Sequence, residues 1–342
     1  MALSSDEIIK REILDFVGVK RGALTTRVFP EGSTEDQKTF VNGGLTFSYD
    51  NLDYGSCDLA WYYTDDTGNK VPVIAVEGTD ALNRGSSGNA QCQRFHHALG
   101  AVKKGLIGIY YLRPGIYNVF PDLYGMAYYA TKYEKGYYLI IQDLGVLQAI
   151  LDLYNKDSTK LKNYLNDFIK QSLAIYKDSF ESRYNNDWSE FAKRRSTIIK
   201  EGYIIKHAGR MRRNFTDASQ RGGHIALGEM YLTKYLFYDK FFYYLWPRMF
   251  QEDLDYLDSH KLRDKEWKLL RKEPNVKILT LDDISNIPRS VDRALRELTN
   301  IPLKGNALRK YTAQVKIIVD GLINDSMSIK KVSRIKKENK DE

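Results

Sequence analysis

Two acidic residues are spaced as a hard metal ion would need them. Asp58 lies in the run Cys57-Asp58-Leu59-Ala60-Trp61-Tyr62-Tyr63-Thr64, whose aromatics mark a strand. Glu77 closes a second run that begins at Lys70 and is apolar on both faces from Val73 to Val76, as a covered central strand is. Between them, Asp65-Asp66-Thr67-Gly68-Asn69 supplies the residue types that tolerate the positive φ of a hairpin loop. Such a hairpin brings Asp58 and Glu77 together at one end of a sheet. Paired carboxylates there suit Mg²⁺, which prefers oxygen ligands and keeps water for a reaction. The plainer reading is that Asp58 caps a strand start and Glu77 opens the loop after its strand. Asp50 and Asp53 are rival ligands, but both precede the strand, whereas Asp58 falls within it.

The neighbouring elements must hold that pair in place. Gly85-Ser86-Ser87-Gly88 reads as a flexible loop, and Asn89 to Lys104 as a helix. Ala90, Phe95, Ala98, Leu99 and Val102 form its apolar face, while Gln91, Arg94, Lys103 and Lys104 are polar. Gly105 stops the helix, and Leu106 to Leu112 is the next buried strand. Upstream, Ser4 to Val17 is an amphipathic helix with a Ser4/Glu7 capping box and an apolar face of Ile8, Ile9, Ile13, Phe16 and Val17. Downstream, Tyr137 to Ile141 reads as a strand, and Asp143 caps the helix that follows.

Strand, hairpin, strand, helix and strand, with Asp58 on the first strand and Glu77 ending the second, resembles the PD-(D/E)XK nuclease superfamily. That superfamily includes most type II restriction endonucleases. The resemblance covers about the first 155 residues and implies an α/β (α+β) fold, a mixed sheet flanked by helices. It also implies a Mg²⁺-dependent, sequence-specific endonuclease that hydrolyses double-stranded DNA. Asp58, Glu77 and the carbonyl of Gly78 would hold the metal, and a glutamate of the first helix, Glu12, would lie near it. A solvated helix charge is the plainer reading of Glu12. The superfamily follows its Glu by any residue and then Lys, whereas Glu77-Gly78-Thr79 places Thr79 there. A lysine introduced at Thr79 is expected to be tolerated if the site opens to solvent. The group that assists the attacking water is open among Lys70, Gln91, Gln93 and Arg94. Lys70 lies seven residues before Glu77, roughly 23 Å along a straight strand at ~3.3 Å per residue. The helix group, with Gln93 foremost, is therefore better placed.

Charge divides the chain of 342 residues. Residues 1–157 carry 15 Lys/Arg against 19 Asp/Glu, leaving 37 against 25 for the remainder. A mildly acidic half joined to a strongly basic one fits a polyanionic partner. The expected organisation is a core at 1–157 with the metal site, a helical basic region at 158–330 for DNA binding and dimerisation, and a charged tail at 331–342. Arg194, Arg195, Arg210, Arg212, Arg213, Gln220 and Arg221 are the candidate DNA contacts, because Arg and Gln suit guanine and adenine edges as well as phosphates. A palindromic target would call for a twofold homodimer.

Other classes find little support in the sequence. No apolar run spans a membrane, and the N-terminus lacks the features of a signal peptide. Two cysteines, Cys57 and Cys92, fit a reduced cytoplasmic protein, and the five histidines have no zinc spacing. P-loop, Gly-x-Gly-x-x-Gly and Gly-x-Ser-x-Gly motifs are missing. Two alternatives remain beside restriction: a repair or nicking nuclease, and a non-catalytic DNA-binding protein on a degenerate nuclease scaffold.

Overall fold

The computed structural model describes residues 5–28, 48–49, 52–53, 57–79, 91, 94–114, 119–194, 197–200, 203–207, 228, 230–245, 273 and 275–279. They belong to two compact units. The first comprises residues 1–187, 223–239 and 260–274; the second comprises 188–222, 240–259 and 275–342.

The first unit begins with α1 (Ser5–Val17). Its residues Ile9, Ile13 and Val17 are buried, whereas Ile8 and Phe16, expected on the same face, are exposed. Steps of four residues keep 9, 13 and 17 in one stripe, and the residue before each lies about 100° round the helix. Ser4, the expected cap, lies outside the described residues.

Six strands form the central sheet in the order β1-β2-β5-β6-β7-β8. They are β1 (Lys20–Arg21), β2 (Leu24–Val28), β5 (Leu59–Thr64), β6 (Lys70–Thr79), β7 (Ile107–Leu112) and β8 (Tyr137–Ile141). The short strands β3 (Ser48–Tyr49) and β4 (Leu52–Asp53) pair only with each other. Neighbours from β1 to β6 run antiparallel, and β6, β7 and β8 run parallel. The hairpin between β5 and β6 turns where expected: the Asp65 carboxylate accepts from the Thr67 and Asn69 N–H groups, and Gly68 takes φ 83°.

Parallel strands need crossover segments, and here these are helical. They are α2 (Phe95–Lys103) between β6 and β7, and α3 (Asp122–Tyr133) between β7 and β8. Register places Leu59, Val76, Ile109 and Leu139 side by side across the sheet. This row packs with Ile9 and Ile13 of α1 and with Leu147, Ile150 and Leu151 of α4 (Leu144–Lys156). Asp143 caps α4 through the Gly145 N–H, as expected. Helices α2 and α3 bury Phe95, Ala98, Leu99, Met126 and Ala130 against the same sheet's other residues. The result is an α/β fold: a mixed sheet flanked by helices.

The 27-residue helix α5 (Ser158–Tyr184) extends this unit beyond the boundary expected at residue 157. It contacts α3, α4 and the edge strand β8. Leu161, Leu165 and Ile169 join the core beside α4, while the Tyr176 ring lies against Gly125 of α3. An edge strand left bare would template pairing with another chain, and α5 lies along it. Residues 230–236 are also helical and belong to this unit, where Lys234 pairs with Glu273 and Lys103 pairs with both Glu134 and Glu273.

Among its described residues the second unit contains strands as well as a helix. After α6 (Trp188–Arg194) come β9 (Thr197–Lys200), β10 (Tyr203–His207), β11 (Phe241–Leu245) and β12 (Val276–Leu279), in the sheet order β12-β11-β10-β9. The runs Thr197-Ile198-Ile199, Tyr203-Ile204-Ile205 and Phe241-Phe242-Tyr243-Tyr244 are β-branched and aromatic, and this favours strand over helix. The tail at 331–342 lies outside the described residues. Among the described residues no helix is long and apolar enough to cross a membrane.

Close approach of α2 to the sheet depends on Gly108, where an added Cβ would meet the Ala98 carbonyl oxygen and a Val102 methyl. Backbone cannot yield as a side chain can. Gly108→Ala is therefore expected to cost about 1–3 kcal/mol in urea unfolding. An unchanged midpoint would show that the helix does not sit this close.

Candidate active site

Asp58 stands one residue before β5, still hydrogen-bonded into the ladder through its N–H to the Val76 carbonyl (2.9 Å). The next N–H on β6 that faces this strand belongs to Gly78. It donates to Asp58 Oδ2 at 2.9 Å, so a side-chain oxygen continues the ladder where the backbone leaves it. Ladder donors lie near the sheet plane, and that oxygen lies there too. The other oxygen, Oδ1, is 3.3 Å from Lys10 Nζ of α1. Both side chains are nearly buried, at 10% and 9% exposure. Asp58 thus caps the strand end, as the plainer sequence reading had it.

Glu77 lies within β6, which runs on to Thr79 rather than ending at the carboxylate. Successive residues of a strand face opposite sides. A Cβ at Gly78 would meet Ile9 of α1, so Gly78 faces α1 and Glu77 faces the other way, toward α2. There Glu77 Oε1 lies 3.2 Å from His97 Nδ1 and 3.5 Å from Arg94 Nη1. Arg94 and His97 are three residues apart and share a helix face. Glu77 itself is 1% exposed, and its Oε2 is buried without a hydrogen-bond partner among the described residues.

The thiol of Cys57 lies beside both acids. Burial, then the charges of Glu77 and Asp58, push its pKa well above the ordinary thiol value. Its protonated form is thereby favoured.

Glu12 is not simply solvated. Its carboxylate accepts from the Tyr111 hydroxyl at 2.6 Å and from Arg113 Nε at 2.7 Å. Burial and the bond to Glu12 raise the Tyr111 pKa, keeping the phenol a donor. With Ile8, Arg11, Asp15, Phe16 and Arg113, Glu12 lines an open concavity of about 500 Å³.

The other candidates take these places. Thr79 ends β6 and is 5% exposed, so the opening to solvent that a lysine there would need is lacking. Gln91 is a tether: its side-chain oxygen accepts from Phe120 N–H and its carbonyl from the Tyr110 hydroxyl. Lys70 sits at the far end of β6, over the Tyr62 ring. Asp53 belongs to the separate β3–β4 pair. Arg194 ends α6. Gln93, Asp50, Arg195, Arg210, Arg212, Arg213, Gln220 and Arg221 lie outside the described residues. Lys10 and His97 were not singled out from sequence. His97 had a signal in its helical spacing from Arg94; Lys10 had none.

Among the described residues, no three His, Cys, Asp or Glu side chains converge as a metal cluster. The carboxylates of Asp58 and Glu77 are oxygen donors of the kind a hard divalent cation prefers, but they face opposite sides of the sheet and both Asp58 oxygens are engaged, so the described residues do not bring them onto one ion. Lys10 and Arg94 already neutralise part of that charge.

Removing Asp58 strands buried partners. Asp58→Ala is expected to cost about 3–5 kcal/mol in denaturant unfolding, and Asp58→Asn, whose amide oxygen still accepts from Gly78 N–H, distinctly less. Equal unfolding midpoints for wild type and Asp58→Ala would contradict the strand-end role.

Comparison with protein-family models, curated proteins and solved structures finds no match to this chain.

Proposed function

We propose that this chain is a Mg²⁺-dependent endonuclease acting on double-stranded DNA, of type II restriction character and working as a homodimer. The observation that carries the reading is the buried carboxylate of Glu77, whose Oε2 lacks a hydrogen-bond partner among the described residues. The arrangement of α1, three antiparallel strands, α2 and β7 is the framework that the resemblance calls for. The excess of Lys and Arg beyond residue 157 suits a phosphate backbone.

The resemblance gives Asp58, Glu77 and the Gly78 carbonyl to the cation, but Asp58 is engaged on the α1 side and Glu77 faces α2, so Glu77 is the ligand that this geometry leaves available. The bound ion would supply Lewis acidity toward a phosphoryl oxygen and lower the pKa of a coordinated water. Arg94 and His97 lie beside Glu77 Oε1, leaving its second oxygen for the ligand. Gly78 N–H fixes one Asp58 oxygen, so the carboxylate cannot swing away from the strand end. Hydrolysis then adds water across one phosphodiester P–O bond.

A second reading has its own observation. Each carboxylate already has a basic neighbour, Lys10 for Asp58 and Arg94 for Glu77, as in a scaffold that binds DNA without cutting it. Plasmid DNA with Mg²⁺ separates the two. Discrete fragments are expected from wild type. The Glu77→Gln variant should cut at least 100-fold more slowly while its DNA affinity in Ca²⁺ stays within about threefold. Intact plasmid with a retained gel shift for the wild type would favour the binder and overturn the nuclease.

A further inference from the structure

We infer that the outward face of α1 is where two copies of this chain meet, their helices antiparallel about a twofold axis. The inference rests on the homodimer of the nuclease reading and gives it a place, without drawing on the chemistry of cleavage. Steps of three and four residues put Ile8, Arg11, Glu12 and Asp15 on one stripe of α1, turned away from the buried Ile9, Ile13 and Val17. With Phe16 and Arg113 they line the open concavity of about 500 Å³.

Five large hydrophobic side chains are exposed among the described residues, and Ile8, Phe16 and Val19 are three of them. Phe16, at 51%, is more exposed than Ile8, the other apolar residue of the concavity. Scattered apolar residues are ordinary on a surface. Three between positions 8 and 19, beside a concavity, mark a contact face.

The charges say what covers this face. Glu12 is answered within the chain, by the Tyr111 hydroxyl and Arg113 Nε. Arg11 and Asp15 are exposed and have no ion pair among the described residues. Within one helix the order Arg then Asp is the weaker arrangement at this spacing, which leaves both charges to a partner. A phosphate drawn to Arg11 would meet the Asp15 carboxylate one turn further on, and a cation would meet the reverse. The fitting occupant is apolar and carries one charge of each sign a helical turn apart. A second α1 laid antiparallel presents that set: its Asp15 meets Arg11, and twofold symmetry repeats the contact with the roles exchanged. Ile8 and Phe16 flank these pairs along the helix, one on each side.

Sedimentation velocity of the full chain across a concentration series tests this, with each variant's fold checked by circular dichroism. The wild type is expected to dimerise, and Phe16→Asp, Arg11→Asp and Asp15→Arg each to weaken the dimer by about tenfold or more. The Arg11→Asp/Asp15→Arg double variant should regain wild-type association to within about threefold. An equimolar mixture of the two single charge variants should do the same, because each then meets its complement. If Phe16→Asp does not fold, the charge exchange, made at two exposed positions, still decides the matter. A wild-type dimer that all these variants leave unchanged would overturn the α1 contact while leaving the homodimer of the nuclease reading in place. Variants that keep their association but lose DNA in a gel shift would also overturn it, and would make the face a DNA contact. A wild type that stays monomeric at every concentration would overturn both this inference and that homodimer, whereas plasmid cleavage is scored separately.

Discussion

The absence of a side chain at residue 78 sets the geometry of the whole site. Ile9 occupies the space a Cβ would take, and this is what lets α1 lie against β6. The same glycine donates its N–H to Asp58, fixing the carboxylate at the end of the ladder. Strand alternation then sends Glu77 to the opposite face, where α2 offers Arg94 and His97. One small residue therefore separates two acids into two environments, each with its own cation.

Electrostatics explains why those cations are there. Buried carboxylates close together would repel, and burial would favour their protonated forms. Basic partners oppose both effects. For Lys10 and Asp58 at 3.3 Å, an effective dielectric near 20 gives an attraction of about 5 kcal/mol. Desolvating each ion costs several kcal/mol, so the net gain in stability is small. Apolar residues in place of both would serve folding about as well, whereas removing Lys10 alone would leave a buried carboxylate unpaired. The pair makes better sense as a constraint on where the Asp58 oxygens point.

Much of the first unit was legible in the sequence, and the reasons are local. Asp65 and Gly68 announce the hairpin, Gly105 the end of α2, and Asp143 the start of α4; each acts within a few residues of its own position. The same local logic misjudged Ile8 and Phe16, because an apolar residue beside a buried stripe scores like one within it. In the second unit, basic residues drew attention away from the β-branched runs in Thr197–Lys200 and Tyr203–His207, which form strands. The pairing of Lys10 with Asp58 spans 48 positions and depends on a helix docking over a glycine, so residue spacing carries no trace of it. Glu77 was recognisable as a candidate ligand, but its buried unpartnered oxygen is a property of packing alone.

The central claim is that Glu77, with its buried oxygen lacking a partner among the described residues, is a ligand for a hard cation. Mn²⁺ titration followed by electron paramagnetic resonance tests it without requiring DNA or turnover. The account predicts one protein-bound Mn²⁺ per chain in the wild type, lost in the Asp58→Asn/Glu77→Gln double variant. Binding of the same stoichiometry and affinity in that variant, with its fold intact, would contradict it.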